Sequence, residues 1–391
     1  MTLHDFDEIR PFSDEEMRGA FNSLLNDRQF NHLMKAVAPW FPRGLRNALL
    51  RLFYRGVKSS QDFQVRFMKP IVNFIIRTRT KGLTFGYDKT LSQHGRYIFL
   101  SNHRDIVLDS AFLDVLLFNN NFDRTVEIGI GDNLLIYPWI KTLVKLNKSF
   151  TVRRGLTTHE MMRSSVMMSQ YIHFAVNEKQ ENIWIAQREG RAKDSDDRTQ
   201  ESIIKMMAMG GEGSLVERIR SLHIVPLAIS YEFDPCDFLK AREYQLRRDV
   251  EGWKKGPTDD IVSMQTGIMG YKGHIHYHAA QCIDTWLDTL DADMPKGEFF
   301  AAVARHIDEQ IFSRYRLYPN NFVALDELSG TTEHAGCYTQ HDKERFDAYI
   351  AGQLARIDIP CKDEQYLRER MLTMYANPAR NQLSLCGTTN Q

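Results

Sequence analysis

Strand and helix patterns alternate between about residue 82 and residue 281, and this alternation constrains the fold of the chain more than any other feature. The long pattern TTHEMMRSSVMMSQYIHFAVNEKQ is typical of a helix, because Thr157 and Glu160 stand in capping-box spacing at its start. The strand patterns are GLTFGYD, RYIFLSN, VEIGIGDN, SFTVRRG, NIWIAQ, HIVPLAISYE and GHIHYHA. Such alternation predicts an α/β fold with a mixed, mostly parallel central sheet flanked by helices.

Helical patterns precede and follow this alternating section. SDEEMRGAFNSLLND begins with a Ser N-cap, and SQDFQVRFMKPIVNFIIRTR is expected to bend or break near Pro70. The patterns GEFFAAVARHIDEQIFSRYR, KERFDAYIAGQLARI and DEQYLRERMLTMYA are amphipathic at the helical period. We therefore predict an N-terminal helical region at residues 1–81, an α/β domain at residues 82–285 and a C-terminal helical extension at residues 286–391.

Positive charge is concentrated near the N-terminus, although the net charge of the 391 residues is zero. Residues 41–90 contain eleven Lys and Arg residues against two acids, Asp62 and Asp88. This imbalance favours an anionic partner such as a membrane surface or a phosphate compound. Residues 43–58, with five positive charges and several Leu and Phe side chains, either lie in an anionic membrane interface or pack on the core with a solvated basic face.

The chain is predicted to be cytoplasmic and peripheral on the inner face of a membrane. Its first residues are acidic and polar, unlike a secretory signal, and no apolar stretch approaches the roughly 18 to 20 residues of a spanning helix. The five Cys residues are scattered and odd in number, which is typical of a reduced compartment.

The stretch SNHRDIVLDS directly follows the strand pattern RYIFL, and a helix is expected to begin near Asp109. Strand ends that lead into helices are where α/β sheets usually place their sites. There, His103 is a candidate general base for a hydroxyl group, held by Asp109 or by Asp105. The alternative is a structural His at a helix N-terminus.

Two basic stretches are candidates for a phosphate site. In IWIAQREGRAKDSDD, Gly190 permits a tight turn, and Arg191 and Lys193 are suited to clamp a phosphate. In KLNKSFTVRRG, Arg153 and Arg154 follow a short strand. Both stretches are also compatible with solvated surface charge.

One strand pattern contains a proline. Pro226 interrupts HIVPLAISYE and removes a ladder hydrogen bond, so we expect it at a sheet edge or at a bulge.

Taken in order, these four stretches resemble the motif blocks of the glycerolipid acyltransferase superfamily. Asn102 and His103 match the first two residues of the family block NHxSxxD. Asp109 follows one residue later than the Asp of that block, which gives the spacing H-x5-D. The other blocks are matched by Phe150 with Arg153 or Arg154, by Glu189 and Gly190 with Arg191 one residue early, and by Pro226 in its apolar strand.

The resemblance implies O-acyl transfer from an acyl thioester to a hydroxyl of a glycerol-phosphate or lysophospholipid. His103 would be the general base, oriented by Asp109 with Asp105 as the alternative. The acceptor phosphate would be held by Arg191, Lys193, Arg153 and Arg154. Acyl-CoA or acyl-carrier protein would be the co-substrate, and no bound cofactor or metal is implied. Because the spacing departs from the family pattern, a non-catalytic lipid- or acyl-CoA-binding relative is the alternative.

Two other classes of function are weaker hypotheses. Nucleic-acid binding has only the basic section in its favour, and we expect no such partner. A metal site on GHIHYHA is geometrically possible, because His274, His276 and His278 alternate onto one strand face. The simpler interpretation makes them polar positions on a half-exposed strand.

Overall fold

A single seven-stranded sheet lies at the centre of the computed structural model, which describes residues 2–37, 40–256, 258–291 and 293–388. The strands are β1 (Gly82–Tyr87), β2 (Ile98–Ser101), β3 (Val126–Gly131), β4 (Ser149–Val152), β5 (Asn182–Ala186), β6 (Ile224–Tyr231) and β7 (His274–Ala279). Their order across the sheet is β1-β7-β6-β2-β5-β3-β4. Each of the seven strand patterns in the sequence forms one of these strands.

The sheet is parallel except at one junction. Strands β6, β2, β5, β3 and β4 run in one direction, and β7 pairs antiparallel with β6 while β1 pairs parallel with β7. The predicted mixed, mostly parallel sheet is therefore confirmed. The five parallel strands all end at the same edge, so the loops that follow them are brought together there.

Helices cover the sheet, and further helices precede its first strand and follow its last strand in the chain. Five precede it: α1 (Asp14–Asn26), α2 (Arg28–Val37), α3 (Arg43–Tyr54), α4 (Ser60–Asp62) and α5 (Lys69–Arg79). Those inserted between strands or directly after β7 are α6 (Leu108–Asn119), α7 (Pro138–Leu146), α8 (Thr158–Asn177), α9 (Glu201–Met207), α10 (Leu215–Arg220), α11 (Asp237–Asp249), α12 (Asp259–Met269) and α13 (Asp284–Leu287). The last are α14 (Lys296–Phe312), α15 (Pro319–Ser329), α16 (Gln340–Ala355) and α17 (Glu364–Thr388).

Short irregular helices complete the chain. Three are 3-10 helices, at Leu3–Phe6, Asp132–Leu134 and Ala335–Cys337, and Phe63–Met68 is a π-helical segment that leads into α5. Pro70 lies directly after this π-helical segment, as the second residue of α5, so the regular α-helical hydrogen bonding is interrupted next to Pro70. No helix in the described ranges is long and apolar enough to cross a membrane.

Two apolar layers sandwich the sheet, and alternate strand residues contribute to each. Ile98 and Leu100 pack into the layer that contains α8, α9 and α14, whereas Phe99 packs into the layer that contains α6. This alternation follows from the two-residue period of a strand, and burial of both faces explains the continuous apolar runs. The three predicted regions of the chain stay predictions, although β1 begins at Gly82 as expected.

Pro226 lies in an interior strand, so the prediction of an edge position is wrong. Strand β6 is held between β2 and β7, with Pro226 opposite Leu100. The Pro226 carbonyl accepts the Ala280 N–H at 2.8 Å, while the β7 ladder starts only at Leu227. The N and C=O groups of one strand residue point to the same side, so the missing N–H of Pro226 would face β7, beyond the last paired residue of the β6–β7 ladder. The hydrogen bonds between β6 and β2 are therefore unaffected.

Candidate active site

His103 lies in the loop between β2 and α6, at the edge where the five parallel strands end. Its Nδ1 atom is 2.8 Å from Oδ2 of Asp109, which stands in the first turn of α6. The His103 side chain is 13% exposed, whereas that of Asp109 is fully buried. The pairing leaves Nε2 of His103 as the nitrogen that can meet a hydroxyl group.

The buried carboxylate of Asp109 accepts several further hydrogen bonds. The backbone N–H groups of Arg104 and Asp105 donate to Oδ2 at 2.6 and 3.0 Å, and the hydroxyl of Tyr231 donates to Oδ1 at 3.2 Å. These donors replace the water that burial removes, so the carboxylate is held in one orientation facing His103.

Asp105, the alternative partner, has a different position. Its Oδ1 accepts the backbone N–H groups of Val107 and Leu108, both at 2.9 Å, and so caps the start of α6. Burial, and after it the nearby charge of Asp109, raises the pKa of Asp105. The structure therefore pairs His103 with Asp109, as favoured from the sequence.

Neighbouring strands fix the base of this loop. The amide of Asn102 donates to the Ile229 carbonyl at 2.9 Å and accepts the Ile229 N–H at 2.8 Å, which ties the loop to β6. The ring of Trp184 on β5 packs edge-on against the His103 imidazole, with centroids 5.4 Å apart. These contacts limit the rotation of the imidazole.

A cleft of about 380 Å³ opens at His103 and continues over the loops after β3, β4, β5 and β6. Its cationic side chains are Arg154, Arg188, Arg191, Lys193, Lys240, Arg247 and Lys255, against the acids Glu189, Glu243 and Asp260. The excess of cations makes this space suited to a phosphorylated ligand.

Three of the four predicted phosphate ligands line the cleft. Arg154 lies 3.7 Å from Glu189, and Lys193 lies 2.7 Å from Glu243. Arg191 reaches the cleft near the thiol of Cys236, whose pKa burial raises to about 12. Arg153 is not brought there. Its guanidinium pairs with Glu8 at 3.0 Å, because successive residues at the end of a strand point to opposite sides.

Several cleft cations were not identified from the sequence. Lys240 and Arg247 project from α11, a helix that we did not predict. Glu243, buried on the same helix, contacts Lys193 and Arg247 at 2.7 Å each and Lys255 at 3.7 Å. The spacing of residues 240, 243 and 247 could have indicated this charged cluster, because residues three and four positions apart share one face of a helix.

The loop that follows β5 is held by the C-terminal helices. Gly190 has φ +69°, so the expected tight turn is present. Asn377 on α17 donates to the Asp194 carbonyl at 2.8 Å, and Asn381 donates to Oδ1 of Asp196 at 2.9 Å. Helix α17 thereby positions one wall of the cleft.

The residues of this site lie in a part of the chain that resembles a known protein family. Residues 83–230, which contain His103, Asp109, Arg154 and Arg191, match the family model described as Acyltransferase. Among solved structures, the chain is similar to the 1-acyl-sn-glycerophosphate (LPA) acyltransferase PlsC from Thermotoga maritima, with a TM-score of 0.37 and 10% identity. The alignment covers 68% of this chain and 88% of PlsC. A search of curated protein sequences found no significant match. The resemblance to an acyltransferase family that the sequence predicts is thus confirmed for residues 83–230, which match the model of that family.

Proposed function

We propose that the chain is an O-acyltransferase that moves a fatty acyl group from acyl-CoA or acyl-carrier protein to a hydroxyl of a glycerol-phosphate or lysophospholipid. The observation that carries the proposal is the contact of 2.8 Å between His103 Nδ1 and Asp109 Oδ2 at the mouth of a cation-lined cleft. An oriented imidazole beside a phosphate-binding surface is what direct transfer to a phosphorylated alcohol requires.

In the proposed reaction, Nε2 of His103 removes the proton of the acceptor hydroxyl as its oxygen attacks the thioester carbonyl. Asp109 fixes the imidazole in the tautomer with the proton on Nδ1 and stabilises the imidazolium that forms. Collapse of the tetrahedral intermediate expels the thiolate of the donor, which takes up the proton held by His103. Backbone N–H groups near Gly190 are the proposed donors to the oxyanion.

The acceptor phosphate is proposed to lie against Arg154, Arg191 and Lys193. Burial lowers the pKa of Lys193 despite its contact with Glu243. These side chains would bring the acceptor hydroxyl to His103, and such positioning supplies a large part of the rate in a two-substrate reaction.

A transfer assay with a matched histidine control tests this function. Labelled acyl-CoA and acyl-carrier protein would be offered with glycerol phosphate, lysophosphatidate and other lysolipids, and the lipid product identified. His103→Ala should abolish transfer. His94→Ala should not, because His94 forms a similar contact with Asp123, also 2.8 Å, on an exposed surface away from the cleft. Product formation that persists in His103→Ala would refute the mechanism, and binding of acyl-CoA without turnover in the unaltered chain would favour the non-catalytic alternative.

We further propose that α3 contacts an anionic membrane. Four of its apolar residues face outward: Leu45, Leu49, Leu52 and Phe53 are between 46% and 58% exposed. Arg46 and Asn47 instead point inward, where Asn47 donates to the Leu25 carbonyl at 3.1 Å and Arg46 to Asn31. An outward apolar face flanked by Arg43, Arg51 and Arg55 is the pattern of an interfacial helix.

Vesicle flotation tests this contact. The unaltered chain should bind vesicles of phosphatidylglycerol and phosphatidylcholine more strongly than vesicles of phosphatidylcholine alone. Replacing Leu49, Leu52 and Phe53 with Gln should abolish binding, whereas Met209→Gln with Leu383→Gln, at other exposed apolar positions, should not. Equal binding by both variants would contradict the proposal.

A further inference from the structure

Three side chains with metal-ligating atoms meet at the end of the sheet opposite the cleft. His223 directly precedes β6, and Cys282 and Asp284 follow β7. Because β7 runs antiparallel to β6, the end of β7 lies beside the start of β6, far from the strand ends that form the cleft. One ring nitrogen of His223, Sγ of Cys282 and one oxygen of Asp284 all lie within 4.8 Å of one another.

One carboxylate oxygen of this cluster has no hydrogen-bond partner among the described residues. His223 Nδ1 is 2.6 Å from Oδ2 of Asp284. The second carboxylate oxygen, Oδ1, is buried and receives no N–H or O–H donor from any described residue. The thiol of Cys282 lies beside the same carboxylate, and it is partly buried against the apolar layer that contains α6.

Other His–Asp pairs of the protein differ from this one. His94 with Asp123 and His334 with Asp326 have contacts of 2.8 Å each. Among the residues that the structure describes, only His223, Cys282 and Asp284 form a group of three potential metal ligands. The third ligand therefore distinguishes this cluster from an ordinary ion pair.

We propose that His223, Cys282 and Asp284 bind a zinc ion. Zinc bonds of about 2.0 to 2.3 Å in a tetrahedron hold their ligand atoms roughly 3.3 to 3.7 Å apart. The ligand atoms, which all lie within 4.8 Å of one another, would have to move by about 1 Å to reach these separations. Cys282 releases its proton to solvent on binding, so thiolate, carboxylate and neutral imidazole together balance the two positive charges of the ion. Water occupies the fourth position.

The consequence of this site is structural. A zinc ion there ties the residue before β6 to the segment after β7, which are 59 positions apart in sequence, from residue 223 to residue 282. It should raise the unfolding temperature, and the rise should increase with the concentration of free zinc. Turnover should not require it, since the cleft lies at the opposite end of the strands.

Cobalt and zinc titrations of the full chain after chelation test the site. Cobalt should give the near-ultraviolet charge-transfer band of a Co–thiolate bond, and zinc should displace it. Cys282→Ser should remove the band, and His223→Gln should weaken metal binding by about tenfold or more. Cys337→Ser and His94→Gln are matched controls that should bind as the unaltered chain does.

A second measurement keeps the proposal testable if either variant fails to fold. Zinc should protect Cys282 of the unaltered chain from alkylation but leave the exposed Cys361 reactive, as read by mass spectrometry of peptides. An absent cobalt–thiolate band, a band that survives Cys282→Ser, or equal alkylation of Cys282 with and without zinc would each overturn the assignment.

Discussion

Asp109 reaches His103 across a loop that is one residue longer than the spacing of the family block it resembles. The N–H groups of Arg104 and Asp105 both point at the Asp109 oxygen that also contacts Nδ1 of His103. The loop thus folds around a single carboxylate atom. The turn accommodates the additional residue, and the distance between the imidazole and the carboxylate remains that of a hydrogen bond.

Separate replacement of the two acids should distinguish their roles. We expect Asp109→Asn to lower kcat by about 10²- to 10⁴-fold, because the imidazole loses the carboxylate that sets its tautomer. Asp105→Asn should retain near-normal kcat, since an amide oxygen can still accept the N–H groups of Val107 and Leu108. Steady-state rates for both variants check the prediction, and a larger loss in Asp105→Asn would reverse the assignment.

Replacement of the two adjacent arginines after β4 should have different effects on the KM for the acceptor. Arg154 lines the cleft, so Arg154→Gln should raise KM for a phosphorylated acceptor by about tenfold, the equivalent of one charge-assisted hydrogen bond. Arg153 contacts Glu8 outside the cleft, and Arg153→Gln should leave KM unchanged. Similar KM values for the two variants would show that the phosphate lies elsewhere.

The loops after β2 and β5 are joined by a buried ion pair. Arg104 lies 3.1 Å from Asp197, and neither side chain is more than 6% exposed. We expect Arg104→Met to reduce the free energy of unfolding by about 3 to 5 kcal/mol, because it leaves a buried carboxylate unpaired. Adding Asp197→Asn should recover much of that loss. Urea unfolding of the unaltered chain, the two single variants and the double variant tests this coupling. If the losses in the free energy of unfolding of the two single variants simply add in the double variant, the two side chains are not coupled.

Stability should depend on pH through Asp114. Burial raises the pKa of this carboxyl from its usual value near 3.8 to about 7. The folded state therefore holds the proton more tightly than the unfolded state, so this contribution is complete below pH 3.8 and is lost as the pH rises through about 7. It amounts to at most about 4 kcal/mol, at 1.36 kcal/mol for each unit of pKa.

Asp114→Asn should remove this dependence, since its amide oxygen can still accept the Val126 N–H. Urea unfolding between pH 5 and 8 should show the variant gaining stability over the unaltered chain as the pH rises. Asp249→Asn is the control, because the contact with Arg248 lowers the pKa of Asp249 and leaves it ionised throughout that range. A constant difference between Asp114→Asn and the unaltered chain would contradict the prediction.

Local patterns were enough to predict the seven strands of the sheet and many of its helices. Each strand of the sheet corresponds to an apolar run bounded by polar or Gly residues, and Ser13 and Thr157 do stand at helix starts. These features depend on residues close in sequence, so they can be recognised without knowing which strands are neighbours. The helix at residues 237–249 was missed because its many charged positions hide the apolar period.

Sequence alone determined that His103 follows a strand and that Asp109 stands close to the start of the next helix. Only the tertiary structure decided which cations share their cleft and that the apolar face of α3 points outward. It also placed Pro226 inside the sheet and brought His223 beside Cys282. These outcomes depend on strand order and on contacts between distant segments, where a shift of one residue reverses the side that a side chain faces.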